Sequence, residues 1–226
     1  MNQSIEKTSL RDSVFEKLKE DILSNKYKAG EKLCIADLKT TYDVGLSPLR
    51  EALVRLSSLN FLEAISMKGY RIPIITSELV KDIYNARLHI EPYMLTLAID
   101  RATETDEEAI IAAHHSLKKI EQCKEKADFN NWKEKHQRFL FAFMNASHSP
   151  TLINIMTNLY EQTERCRCLW FKGISKDNYF KKIKLYATYH QQLVDALLKK
   201  DKINIEKIYQ TKMTDWVKDL LQYLDD

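Results

Sequence analysis

The sequence predicts a mainly α-helical chain in two unequal parts: a small one that turns often and a larger one that is helical throughout. Only four of the 226 residues are glycine and four proline. Five of these eight, Gly30, Gly45, Pro48, Gly69 and Pro73, precede residue 77, so chain-breaking is concentrated there. Apolar residues recur at three- and four-residue spacing along most of the chain, the mark of helices with one buried face. Two short apolar runs around a Gly-bearing tetrad, in the first part only, read as strands.

In chain order, Val14, Leu18, Ile22 and Leu23 define a first helix, which Tyr27-Lys28-Ala29-Gly30 should stop. Ile35 to Tyr42 makes a short second helix with Leu38 inward. Ser47 is placed to cap a third, Pro48 suits its first position, and Leu49, Leu53, Leu56 and Leu59 form its apolar stripe. Phe61 to Ile65 and Tyr70 to Ile75 then flank Ser66-Met67-Lys68-Gly69, a β-hairpin with glycine at its turn. Three helices and a hairpin wing make a winged helix-turn-helix, assigned to residues 1–76, with Thr76-Ser77 as a short polar junction. Residues 77–226 form an all-helical bundle of about six helices, near 78–102, 106–127, 130–146, 150–171, 178–199 and 202–224. Pro92 should kink the first of these or mark a boundary in it.

Composition narrows the function. With 44% hydrophobic and 30% charged residues the chain can bury a core. It has no run of about 18 apolar residues, and its polar start lacks a secretory h-region, so the expectation is a cytoplasmic protein without a membrane partner. The four cysteines include no C-x-x-C pair; Cys166 and Cys168 would point about 200° apart on a helix and read as packing residues. A net charge of +3 is too small to argue for nucleic acid by itself, so that case rests on local pattern. The chain shows no nucleophile elbow, phosphate-cradling glycine loop, H-E-x-x-H or paired metal carboxylates, which argues against an enzyme.

The local pattern lies in Val44-Gly-Leu-Ser-Pro-Leu-Arg-Glu-Ala-Leu-Val-Arg-Leu56. A recognition helix presents its N-terminal residues to base edges in the major groove, with its apolar stripe holding it on the scaffold. That geometry assigns Ser47, Pro48 and Arg50 to DNA, with Arg50 able to pair bidentately with guanine. Lys68, Gly69 and Arg71 lie where a wing meets a neighbouring groove or backbone. The plainer alternative makes Arg50 and Arg55 solvated charges on an amphipathic helix.

The stretch from Val44 to Ile75 resembles the DNA-binding domain of GntR-type bacterial transcription regulators, whose motif runs Val-Ser-Arg-Thr-Pro-Val-Arg-Glu-Ala-Leu before a Gly-containing wing. Tyr27-Lys-Ala-Gly-Glu-Lys-Leu33 is similar to that family's Tyr-x-x-Gly-x-x-Leu. Gly45 and Leu46 replace the family's Ser-Arg; Leu46 can instead touch a thymine methyl, and Arg50 matches the family's arginine. The resemblance implies double-stranded operator DNA as partner, read by a homodimer on an inverted repeat.

The second part resembles the FCD effector domain of the FadR subfamily through Ala86-Arg-Leu-His-Ile-Glu91, through the segment His136 to Leu152, and through His190, Leu193, Ala196 and Asp201. Many such domains hold a divalent metal with one Asp and three His. The same register puts His136 at the Asp position, Leu140 at the first His, His190 at the second and Lys212 near the third. No cofactor is therefore expected: a metal is conceivable, but its ligand set is incomplete. The resemblance implies a small organic acid as effector, for which Arg87, His136, Arg165 and His190 are the candidate residues, Arg165 through a guanidinium facing a bundle cavity. Each has a plainer reading: a salt bridge to Glu91 for Arg87 or to Glu161 for Arg165, and buried hydrogen-bonded imidazoles for the two histidines. Arg167 is a further pocket candidate, with a surface charge as its plainer reading. His114-His115 diverge by about 100° and read as surface helix rather than a metal pair.

The expectation is a ligand-responsive transcription repressor with a carboxylate effector. The rivals are a metal-responsive regulator with an atypical site, a helical-bundle enzyme and an architectural DNA-binding protein.

Overall fold

The computed structural model describes residues 10–66, 69–124 and 128–225. By internal contacts the chain divides into two compact units. The first holds the described residues up to Thr76 together with Glu161–Leu169; the second holds Ser77–Tyr160 and the described residues from Trp170 onward.

The first unit runs α1 (Leu10–Leu23), β1 (Lys32–Leu33), α2 (Ile35–Tyr42), α3 (Leu46–Ser58), β2 (Glu63–Ile65) and β3 (Gly69–Arg71). Its core is one apolar cluster to which α1 gives Val14, Phe15, Leu18 and Ile22, and α3 gives Leu49, Ala52, Leu53 and Leu56. Leu38 closes it from α2, and Phe61 and Ile72 close it from the wing. Burying side chains of this size yields roughly 1.5–3 kcal/mol each against the entropy of ordering them, enough to pin α3 by its inner face.

Three details differ from the expectation. Helix α1 stops at Leu23, before Tyr27–Gly30, because Asn25 takes a left-handed φ of 57° and the amide of Lys26 turns back to the carbonyl of Asp21 at 3.0 Å. Helix α3 starts one residue before Ser47: its N-cap is Gly45, extended at φ −69° and ψ 163°, so Ser47 lies inside the first turn and caps nothing. The hairpin gains a third strand, in the order β1-β3-β2, all antiparallel, with Lys32 opposite Arg71 and Leu33 opposite Tyr70. Met67 and Lys68, at the expected turn, lie outside the described residues.

The second unit is built from α4 (Ser77–Arg101), α5 (Glu104–Glu121), α6 (Phe129–Ala146), α7 (Pro150–Gly173), α8 (Lys176–Leu198) and α9 (Lys202–Asp225), with residues 161–169 of α7 grouped in the first unit. Helix α4 packs on α9 and α6, and α5 packs on α6 and α8. A single helix passes through Pro92, so no boundary forms there. A capping box starts α5: the amide of Asp106 donates to the Thr103 hydroxyl and its carboxylate accepts from the Thr103 amide. No described helix is long and apolar enough to cross a membrane.

Candidate nucleic-acid interface and buried polar core

Helix α3 separates its two faces cleanly. Leu49, Ala52, Leu53 and Leu56 are buried, while Leu46, Arg50 and Val54, spaced four apart, form an exposed stripe beside Ser47 and Glu51. Leu46 is 43% exposed and Val54 60%, high values for aliphatic side chains that a folded core could have taken. The two arginines part company here. Arg55 stacks its guanidinium 3.9 Å from the ring centre of Phe15 and pairs with Asp12 at 3.3 Å, so it belongs to the α1 packing. Arg50 is exposed and, among the described residues, has no ion-pair partner. The Ser47 hydroxyl donates to Glu51 at 3.3 Å, and Pro48 is half-buried against Gly45. With no side chain capping α3, its first amide groups are left to water or an anion.

In the wing, Gly69 takes φ +91°, a left-handed value that suits glycine, as β3 begins. Arg71 is exposed and donates from Nε to Glu63 at 2.5 Å across the β2–β3 ladder.

Within the second unit, Arg87 and Glu91 lie one turn apart on α4, both buried. Burial is the largest single effect and works against the Arg87 charge, but the charge and hydrogen bond of Glu91 together with Tyr209 and Tyr84 raise the guanidinium above its ordinary value. The Tyr209 hydroxyl of α9 donates to the same carboxylate oxygen, and burial followed by that charge pushes the phenol up. The plainer reading of Arg87 is therefore what the geometry shows: a paired guanidinium.

A second buried group surrounds His190, which is 0% exposed. Its Nδ1 lies 2.8 Å from Oε1 of Glu121 at the end of α5, and its Nε2 lies 3.1 Å from the ammonium of Lys212 on α9. A carboxylate accepts only and an ammonium donates only, so the neutral imidazole must carry its proton on Nδ1 and accept on Nε2. Burial, then the Lys212 charge, lowers the His190 pKa to about 4, which keeps the ring neutral. The Trp132 indole donates to the same Glu121 oxygen at 3.4 Å, while Oε2 of Glu121 has no hydrogen-bond partner among the described residues. His136 stacks on Trp132, ring centres 4.4 Å apart, and lies 5.0 Å from the His190 ring.

These residues do not fit the divalent metal implied by an FCD-type bundle. The lone pair of His190 Nε2 faces an ammonium, and Leu140, which has no donor to offer, lines a cavity of about 10 Å³ with Met94, Phe143 and Leu193 beside the paired Glu91 and Tyr209. Among the described residues no group of three His, Cys, Asp or Glu could hold a metal ion.

Of the four effector candidates, the structure brings His136 and His190 together. Arg165 groups with the first unit and donates to the Pro73 carbonyl at 3.2 Å, and desolvation lowers its pKa. Among the described residues it pairs with no glutamate; Glu161 instead holds Lys19 at 2.5 Å. Arg167 is not a surface charge, being buried and paired with Glu164. His114 is also not on the surface. It packs on Phe139 with ring centres 5.5 Å apart, and burial lowers its pKa. Sequence reasoning missed Glu121, whose one signal is an acid at a helix C-terminus, where the macrodipole disfavours it.

Comparison with known proteins agrees with this layout. Residues 10–72 match the family described as bacterial regulatory proteins, gntR family, and residues 82–212 match the FCD domain. The chain is 31% identical over 156 residues to the HTH-type transcriptional repressor GlaR of Escherichia coli, covering 69% of this chain and 71% of that protein. It is 28% identical over 164 residues to the uncharacterized HTH-type transcriptional regulator YdhC of Bacillus subtilis, covering 70% of each. Among solved structures, Escherichia coli McbR/YncC superposes with a TM-score of 0.79 at 23% identity, over 95% of this chain and 98% of that one. A putative GntR regulator from Rhodococcus gives a TM-score of 0.73 at 16% identity, over 94% and 97%. The chain belongs to the GntR family, as a helix-turn-helix transcription regulator with an FCD domain, and is not an enzyme.

Proposed function

We infer that the protein is a repressor that binds an inverted-repeat operator as a homodimer and is released by a small carboxylate metabolite bound in its helical domain. The observation that carries DNA reading is the exposed front of α3, where Leu46, Ser47 and Arg50 project opposite the buried leucines. Repression is what the name of the similar GlaR says of that protein. Wing residues Lys68, Gly69 and Arg71 take the backbone or groove beside the recognition helix; Arg71 exchanges an exposed pairing with Glu63, worth little in water, for phosphate. Pro48 sets the α3 entry against Gly45. For the effector, His136 and His190 are the candidates that converge, the His190 nitrogens being engaged by Glu121 and Lys212 and so able to act only where that line opens, whereas Arg87 is paired with Glu91 and Arg165 groups with the first unit.

A gel-shift titration with the DNA upstream of the protein's own coding region, at fixed salt, tests the reading. Saturable binding that is weakened by members of a carboxylic-acid panel is expected. Indifference to every promoter tried would overturn it.

A further inference from the structure

We propose that Lys212 is the resident cation of the bundle: its ammonium takes the place on His190 that a divalent metal would need, leaving this chain metal-independent. The geometry is a closed line, Glu121 to His190 to Lys212, with contacts of 2.8 and 3.1 Å. Each end is a fixed charge of opposite sign, and the neutral imidazole between them has no lone pair left to offer. All three are buried, Lys212 being 7% exposed, so the negative charge of Glu121 is balanced inside the bundle by a tethered ammonium rather than by an ion from solution. A metal approaching Nε2 would have to displace that ammonium and would meet like charge at short range. The register that puts Leu140 and Lys212 where other members carry imidazoles removes two donors, and one of the two replacements supplies the charge instead.

The ligand chemistry follows. An anionic effector reaching this centre finds no metal to chelate and must draw the Lys212 ammonium away from His190, so the site takes carboxylates on a point charge shared with Glu121. This last step rests on the carboxylate reading above; the exclusion of metal does not.

The test uses the purified full chain. Melting temperature is measured after exhaustive EDTA treatment and with added zinc or nickel, alongside nitrogen NMR of the His190 ring. Unchanged melting in all three conditions, and a His190 protonated on Nδ1 with an accepting Nε2, are expected. Lys212→His, which exchanges the ammonium for a donor, should gain a zinc-dependent rise of several degrees. Near-stoichiometric metal in the purified protein, a loss of melting temperature in EDTA, or a proton on Nε2 would overturn the proposal; these wild-type measurements decide it even if Lys212→His fails to fold. In the third arm, succinate and acetate are titrated into EDTA-treated wild type and Lys212→Met. Binding weakened about tenfold or more by the variant supports the receptor role. Binding that Lys212→Met leaves intact, or that requires added metal, overturns it. If neither acid nor any of a wider panel binds, the carboxylate reading fails while the metal arms still judge Lys212.

Discussion

Arg87 gives two hydrogen bonds to one oxygen of Glu91, from Nε at 3.2 Å and Nη2 at 2.9 Å, and Tyr209 of α9 donates to that same oxygen. The pair therefore links α4 to α9 through a buried carboxylate. Removing one charge leaves the other stranded, so Glu91→Leu should cost about 3–5 kcal/mol, and adding Arg87→Met should recover part of the loss, the Tyr209 hydroxyl still lacking its acceptor. Urea denaturation of the single and double variants measures this. A single variant as stable as the parent would show that the pair does not hold the helices.

The depressed pKa of His190 makes stability depend on pH. In the unfolded chain the ring titrates near its ordinary 6.5, while in the fold it resists protonation down to about 4. Between these values the unfolded state binds a proton that the folded state refuses, so the stabilisation is complete above about 6.5, declines as pH falls and levels off below about 4. At about 1.4 kcal/mol per unit this amounts to roughly 3 kcal/mol. The groups around the ring are Glu121, Lys212, His136 and His114, and His114 is shifted in the same direction. Denaturation midpoints at several pH values in this window should fall for the parent and fall less for His190→Gln. Parallel slopes would remove His190 as the cause.

Gly173, in the last turn of α7, faces the ring of Tyr223, and a Cβ built there would come within 2.1 Å of the ring carbon Cε2. Gly173→Ala must push the tyrosine aside, at about 1–3 kcal/mol. Combining it with Tyr223→Ala should cost less than the two separate losses together, and thermal melting of the four proteins is the measurement. Simple additivity would mean the two do not touch.

Much of this architecture could be read from spacing. The limits expected for α2 match those observed, and the leucine stripe of α3 became its buried face because helical period and burial report the same thing. Strand β1 escaped notice: two residues are too few to alternate, and their pairing with β3 is a long-range event. In sequence Ser47 reads as a cap because cap preference is statistical, whereas Gly45 takes the extended conformation that begins the helix one residue earlier. The sites were less legible. Arg87 and Glu91, four apart, announce their pairing, but Glu121 meets His190 across 69 residues, and nothing local says that His114 turns inward.

Arg50 and Arg55 look alike in sequence and should behave differently in solution. Arg50, exposed and without an ion-pair partner among the described residues, should lose about 1–3 kcal/mol of operator affinity on change to alanine, with little effect on melting. Arg55, stacked on Phe15 and paired with Asp12, should lose stability instead. Gel shifts and melting curves on both variants separate the roles, and equal losses of affinity would merge them.

Leu46 stands 43% exposed at the front of α3, in the position where the GntR motif carries arginine. If an apolar contact to a thymine methyl has replaced a phosphate contact there, Leu46→Ala should weaken the specific operator while leaving the salt dependence of binding unchanged, because no counterion is released by a methyl contact. Leu46→Arg should do the opposite. It adds one phosphate partner, strengthens binding to unrelated duplexes, and steepens the plot of log affinity against log salt by about 0.9. Titrations of both variants over a range of salt, on operator and on random DNA, distinguish the two contacts. A steeper slope for Leu46→Ala, or no change in slope for Leu46→Arg, would place this residue away from the nucleic acid.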